Sequence, residues 1–371
     1  MKKSRKLICI EDTGRAIYGG GQRTTIYVIE KIKNLFNKIY IVDRCNSYKI
    51  YDYCRNNNLN YEAFNLSKYF VSFPKFFIKV LLIAIKIKDN KNIVIYTTTR
   101  LSTLAIGIVS KLISRRYKWI VHEHMIAPSN KTISYIYCKF LFSSDYQIFP
   151  SIHCKNSYEY NKLKEIKNSY IFGEEISSEL PKNTDDDLIV RKKILAFEKK
   201  INRFDTIKII YAGRISDEKG IFKLINMFVN DINRVSKKDQ NVTLFIAGFG
   251  NKKKIEKLKK SIKGNPMICY LGSINISQKF YSYFDLGINP SWGVNESLGL
   301  SALEILKYNG KLLTSECKSL KGIEKYGGFL FFGPKDNIYK KIKEINLINK
   351  SDYKYINNNS NNFKKLKKIF Y

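Results

Sequence analysis

The sequence predicts an α/β fold made twice in one chain, each half a mostly parallel sheet covered on both sides by helices. Three observations predict it. Short runs rich in isoleucine, valine and tyrosine alternate with stretches of helical apolar spacing along most of the chain. The alternation lapses between residues 177 and 204 and then resumes. The length, 371 residues, is more than one domain usually needs and comfortable for two.

The first half opens with KLICI (6–10), a buried strand, then the loop EDTGRAIYGGGQRTT and the helical segment TTIYVIEKIKNLF. KIYIVD is a second strand ending at Asp43, NLNYEAFNL is a weaker region, and a long helix follows Pro74. NIVIYTTT (92–99) is a strand leading into the helix LSTLAIGIVSKLISR. KWIVHEH is a strand that ends in histidines, SSDYQIFPS a strand entering a turn, and NSYIFG a last short one. The polar stretch SSELPKNTDDDLIVRKK, with its proline and opposed charge runs, marks a linker. Its acids Asp185 to Asp187 have no histidine nearby and are expected in a solvated turn, not at a metal.

The second half restarts with the strand IKIIYAG, the helix GIFKLINMFVNDI and the strand VTLFIAG. KKIEKLKKSIK is a helix, MICYLG a strand, and YSYFDLGINPS a short helix and strand. LSALEILKY is a helix, GKLLTS and GFLFF are strands, and NNFKKLKKIFY is a basic amphipathic helix. The predicted division is an N-terminal domain over 1–175, a linker over 176–204 and a C-terminal domain over 205–350. A last helix within 351–371 is placed to cross back to the N-terminal domain. Two Rossmann-like domains facing one another make an interdomain cleft, and ligands of such sheets bind beyond the carboxyl ends of the strands.

Composition narrows the function classes. A hydrophobic content of 44% excludes a disordered chain. A formal net charge of +34 admits nucleic acid, anionic membrane and acidic small molecules as partners. Lysine, asparagine, isoleucine and tyrosine are used heavily throughout, as AT-rich coding would dictate, and such drift scatters lysines without any partner. Seven cysteines at irregular spacings, with no CxxC pair, fit a reduced cytosolic protein without a zinc or disulfide framework. The apolar run in MKKSRKLICIED is too short for a signal peptide.

The most membrane-like segment, 69–88, is broken by Lys79 and Lys86 and falls below the ~20 apolar residues that span a bilayer. Its apolar side, formed by Phe73, Phe76, Phe77, Val80, Leu81, Ala84 and Ile87, fits either a packed core or a basic-edged interface with anionic lipid. The whole-chain charge tips the reading toward peripheral membrane association, on the cytoplasmic face of the cell membrane.

Three loops carry candidate chemistry. Gly19, Gly20 and Gly21 sit between a strand and a helix, where backbone can approach a ligand, although the spacing is neither GxGxxG nor GxxxxGK. In YAGRISDEKGIFKLI, Arg214 and Lys219 follow a strand end and are bracketed by Gly213 and Gly220. A guanidinium fork and a flexible ammonium there can grip two adjacent phosphates. In PSWGVNESLGLSALEIL (290–306) the strand ends at Pro290 and a helix is expected from near Ser297. Its first turn, Leu298, Gly299 and Leu300, offers amides to an anion. Glu296 just before it and Glu304 about two turns in can each accept two hydrogen bonds from sugar hydroxyls. A positive pocket edged by two such acceptors reads as a nucleotide-sugar site.

These residues resemble the retaining GT-B glycosyltransferases of family 4, the group with sucrose and glycogen synthase relatives. The match is strongest from IIYAGRISDEKG through GFLFFGP, where GRxxxxKG precedes PSxxxxE, a glycine and a second glutamate eight residues on. The resemblance implies that Arg214 and Lys219 hold the donor diphosphate with the Gly299 and Leu300 amides, beside Gly213, Ser297 and Leu298. It implies Glu304 on the ribose hydroxyls, Glu296 on the transferred sugar, and Gly20 and Gly21 facing the diphosphate and acceptor. One histidine of VHEH belongs at the reaction centre; His122 and His124 share a face by alternation, and strand-end position favours His124. His153 is expected to be satisfied or on the surface.

No metal site and no cofactor are expected. The donor is a substrate, a UDP-sugar ahead of a GDP-sugar, and the acceptor a glycan or a polyprenyl-diphosphate-linked sugar. The chain departs from the family at Phe172–Gly173, where an asparagine–glycine pair is usual, and at CKSLKG, which replaces a double-glycine turn. The competing readings are a catalytically silent scaffold of a glycan-assembly complex and a nucleic-acid-binding protein. Against the second, no aromatic RNA-binding motif or zinc-finger spacing is present.

Overall fold

All thirteen strands found among the described residues run parallel to their neighbours, as buried Ile- and Val-rich runs separated by helical crossovers require. The structure, a computed structural model, describes residues 5–11, 20–45, 48–64, 66, 73–159, 168–172, 180–203, 205–237, 239–292, 296–316, 320, 328–348 and 359–371. The chain divides into two compact units, Met1–Ile176 with Asn358–Tyr371, and Ser177–Asn357.

In the first unit, β1 (Lys6–Glu11), β2 (Lys38–Asp43), β3 (Asn60–Ala63), β4 (Ile93–Thr97), β5 (Lys118–His122), β6 (Tyr146–Phe149) and β7 (Ser169–Ile171) form one sheet. Its order is β3-β2-β1-β4-β5-β6-β7. The helices are α1 (Gly20–Ile32), α2 (Tyr48–Asn56), α3 (Phe73–Ile87), α4 (Arg100–Leu112), α5 (Lys131–Leu141) and α6 (Ile152–Glu159). Alternate residues Ile93, Ile95, Trp119, Val121 and Phe149 send their side chains to a core shared with α3, α4 and α5.

That core corrects the reading of the membrane-like segment. Phe76, Val80 and Ala84 are fully buried, and Phe77, Leu81 and Ile87 pack against the same cluster. The side expected to meet lipid is therefore the side that meets the sheet; the side chain of Phe73 lies outside the described residues. The physical reason is plain: the strongest apolar stripe of an amphipathic helix goes to the largest apolar partner available.

In the second unit, the helix α7 (Asp186–Ile201) precedes the sheet strands β8 (Ile207–Ala212), β9 (Val242–Ala247), β10 (Ile268–Gly272), β11 (Leu286–Asn289), β12 (Leu312–Ser315) and β13 (Phe329–Phe332). The order is β10-β9-β8-β11-β12-β13. Its other helices are α8 (Ile221–Asn233), α9 (Lys252–Ile262), α10 (Gln278–Tyr281), α11 (Leu300–Tyr308) and α12 (Ile338–Leu347); α13 (Asn359–Phe370) belongs to the first unit.

Most of the residues expected to be linker form α7. Its charge runs are those of a helix with matched ends: Asp186 and Asp187 in the first turn, Lys199 and Lys200 in the last, and Asn202 closing it in the left-handed conformation at φ 52°. Val190 and Ile194, one turn apart, anchor it in the unit's core. Of the three acids only Asp185 stands in an exposed turn as expected; the other two are anchored. Asp187 accepts hydrogen bonds from the Thr184 amide at 2.7 Å and the Ser277 hydroxyl at 2.7 Å, and Asp186 accepts from the Asn275 amide.

Candidate functional site

β8 and β11 are neighbours in the sheet, yet the chain leaves them in opposite directions, toward β9 and toward β12. Such a switch point opens a crevice beyond the carboxyl ends of the two strands. The loop after β8 carries Gly213, Arg214 and Lys219; the loop after β11 carries Glu296. The two loops are tied together there. The Lys219 ammonium forms an ion pair with Glu296 Oε2, with the two side chains 29% and 13% exposed. Ser291 Oγ lies 3.3 Å from the same oxygen and 2.8 Å from Asn289 Oδ1, so the strand end itself helps to hold Glu296.

Gly220 makes this approach sterically feasible. It is left-handed, φ 69°, and a Cβ there would stand 2.0 Å from the Pro290 carbonyl oxygen. Arg214 is held differently. Its carbonyl accepts the Tyr211 hydroxyl at 2.7 Å, which fixes the backbone. Among the described residues its guanidinium makes one pair, exposed, with Glu218 at 2.8 Å. Gly213 lies against the same tyrosine, where a Cβ would come within 3.2 Å of the hydroxyl oxygen.

α11 starts at Leu300, three residues later than expected. Gly299 is left-handed at φ 75° and so cannot be a helical residue, and Leu298 is buried in the unit's core. A Cβ on Gly299 would come within 2.7 Å of Leu320, so internal packing already requires glycine there. The Ala302 and Leu303 amides bond back to the Gly299 carbonyl, which leaves those of Leu300 and Ser301 outside the helical ladder. Glu304 is thus one turn in, not two. It is 2% exposed and accepts the Tyr281 hydroxyl at 3.1 Å, an anchored carboxylate and not a solvated one. Ser297 lies before the helix, half-buried.

In the first unit, Gly20 and Gly21 open α1. A Cβ on Gly21 would rest 3.6 Å from His124 Cδ2, so the tip of α1 lies on that imidazole. Gly19, Gly173 and most of the CKSLKG turn lie outside the described residues. His122 ends β5 fully buried, its Nδ1 2.6 Å from the Tyr96 hydroxyl. His124 is half-buried beyond the strand, its ring centroid 4.3 Å from that of His122. Both Nε2 atoms are buried without a hydrogen-bond partner among the described residues. Burial pushes His122 well below the ordinary imidazole range, helped by His124, and pushes His124 down to about 4. Both rings are neutral at pH 7.

Glu123, between the histidines, points the other way by strand alternation. It is 2% exposed, accepts the Tyr137 hydroxyl and takes the Met125 amide at 3.3 Å. The Met125 carbonyl accepts Tyr158 at 2.9 Å, the Ile126 carbonyl accepts Arg100, and the Ala127 amide donates to Ser157 at 2.9 Å. Each residue from Glu123 to Ala127 except His124 is therefore fastened by its own bond. Desolvation raises the Glu123 pKa, with Arg100 and Tyr137 opposing. Sequence reasoning missed this network; the acid inside VHEH was the available signal. Among the described residues, no group of three or more His, Cys, Asp or Glu is arranged to hold a metal ion.

Residues 193–362 match a known family, Glycosyl transferases group 1. Over that region the chain belongs to that group, and its two parallel sheets are those of a GT-B fold. No curated protein matches it by sequence. The fold of this glycosyltransferase is shared by solved structures at low identity. HepE from Anabaena, in complex with UDP and glucose, is 14% identical with a TM-score of 0.66, covering 98% of this chain and 93% of its own. The lipopolysaccharide outer core galactosyltransferase WaaB is 13% identical with a TM-score of 0.64, covering 98% and 99%. A glycosyltransferase from Rickettsia africae is 13% identical with a TM-score of 0.65, covering 99% and 92%.

Proposed function

We propose that this glycosyltransferase moves a sugar, with retention of configuration, from a nucleotide-diphosphate sugar to a glycan or polyprenyl-diphosphate-linked acceptor in cell-surface glycan synthesis. The observation that carries the reading is the junction of Lys219 and Glu296 at the β8–β11 switch point, where a cation for phosphate and an acceptor for sugar hydroxyls stand side by side. The charge that develops on the leaving diphosphate is met by Lys219, Arg214 and the Leu300 and Ser301 amides, with no metal ion required. Glu304, pre-oriented by Tyr281, takes the ribose hydroxyls, and Glu296 takes those of the transferred sugar. His124 is the histidine of the reaction centre; His122, sealed beneath it by Tyr96, supports its ring.

A UDP-sugar is the expected donor, in keeping with UDP and glucose bound to the Anabaena relative. A cytoplasmic enzyme touching the membrane from one side fits an acceptor carried on lipid. The test is a panel of UDP-, GDP- and ADP-sugars scored for saturable binding and slow donor hydrolysis by the purified protein. One donor is expected to bind, and Glu304→Gln to weaken it at least tenfold without lowering Tm. A lower Tm with unchanged affinity would make Glu304 a structural partner of Tyr281 only. Tight nucleic-acid binding with no response to any donor would overturn the reading.

A further inference from the structure

α3, α4 and α5 make one helical layer over the first unit's core. α4 is its middle member. The helix is buried or half-buried as far as Ser110, and at Gly107 a Cβ would stand only 2.6 Å from Phe140 Cβ of α5. α3 and α5 flank it, and the outer side of such a layer is ordinarily polar. Here it is not. Along α3, Ile78, Leu82 and Ile85 are 54%, 60% and 43% exposed, at the i, i+4, i+7 spacing of one stripe. On α5, Ile133 and Ile136 are 57% and 48% exposed, one turn apart.

The charges on this layer have one sign. None of the three helices contains an aspartate or glutamate. Lys75, Lys79 and Lys86 on α3 and Lys131 and Lys139 on α5 are all exposed among the aliphatic side chains. Lysine is scattered through the whole chain; what sets this layer apart is that its lysines frame an exposed aliphatic stripe. An aliphatic stripe with an all-positive frame complements a surface that is apolar below and anionic at its rim.

We infer that the outer face of α3 and α5 docks on an anionic lipid bilayer. The aliphatic side chains enter the boundary between headgroup and acyl chain, and the lysine stems reach up to the lipid phosphates. This deepens the membrane part of the reading above and names a face opposite to the one the apolar pattern of 69–88 suggested. It does not depend on the donor site.

The experiment sediments the full-length protein with vesicles of phosphatidylcholine alone or mixed equally with phosphatidylglycerol. Binding is expected on the anionic vesicles and is expected to fall with added salt. Ile78→Ser with Leu82→Ser should weaken it at least tenfold. Lys75→Gln, Lys79→Gln and Lys86→Gln together should weaken it about a hundredfold, at roughly fivefold per lysine. Ile133→Ser with Ile136→Ser on α5 supplies an independent variant should the α3 pair fail to fold. Nucleotide-sugar binding, measured on the same preparations, should be unchanged, which separates a failure here from a failure of the donor-site reading. Absence of vesicle binding by the unmodified protein, or equal binding by all variants, would overturn the inference. So would a dimer in sedimentation velocity that Leu82→Ser dissolves while vesicles stay unbound, since a second copy would then be the occupant.

Discussion

The histidine loop after β5 and the cation loop after β8 both follow a strand of a parallel sheet, yet they are held by opposite means. Around His124, the bonds of Glu123, Tyr137, Tyr158 and Arg100 are buried or half-buried, and the ring they present is neutral. Around Arg214 and Lys219, the ties are ion pairs, one of them open to solvent. A buried hydrogen-bond network is costly to disturb, because each group freed inside loses its partner without gaining water. An exposed ion pair is worth little and rearranges freely. On the proposed reading, the first loop serves fixed positioning and the second a grip that changes partners.

The largest effect that would break this contrast is expected at Lys219. Lys219→Ala should lower turnover at least tenfold, since a lost charge-stabilising contact is worth roughly 2 to 4 kcal/mol. Steady-state kinetics against the bound donor, with Glu296→Gln and the double variant completing a cycle, measures it; normal turnover would remove Lys219 from the chemistry. A middle-sized effect belongs to His124. Its folded pKa of about 4 lies below that of the unfolded chain, so unfolded protein takes up a proton first as pH falls. The imidazole thus favours the fold above about pH 6.5, and that contribution is lost toward pH 4, amounting to about 3 kcal/mol. His122 acts in the same sense, whereas the raised pKa of Glu123 acts oppositely. Denaturant melts across that window should therefore show a shallower pH slope for His124→Asn than for the unmodified chain. An unchanged slope would mean that the ring is solvated. The smallest effect is expected from Glu218→Gln, which should alter stability by no more than about 0.5 kcal/mol. A larger loss in thermal melts would mean that the Arg214 pair is structural and would erase the contrast.

Much of this was legible in the sequence. Strand runs such as IKIIYAG and VTLFIAG have no other comfortable state than a sheet covered on both faces, and they fall at β8 and β9. The order of Arg214, Lys219, Glu296 and Glu304 along the chain identified the family before any coordinates. What was not legible depended on contacts between distant segments. Gly299 delays α11 because Leu320, far from it in helical register, occupies the space a side chain would need. The residues of α7 looked like a linker because two apolar anchors in a polar run give a weak period, and its acids are explained only by Thr184, Asn275 and Ser277. α3 is apolar on nearly every side, so composition could not say which side faces the sheet. Glu123 is one acid in a strand ending, and nothing nearby in sequence announces Tyr137 or Tyr158.

The Lys219–Glu296 contact has a consequence for how an anion enters. The ammonium is already paired, so on the proposed reading an arriving diphosphate displaces a carboxylate instead of meeting a bare cation. The displaced group would then be free for the hydroxyls of the transferred sugar to claim. A nucleoside diphosphate without its sugar would leave that carboxylate unclaimed, so on this reading discrimination between the leaving group alone and the whole donor rests on one exchange of partners.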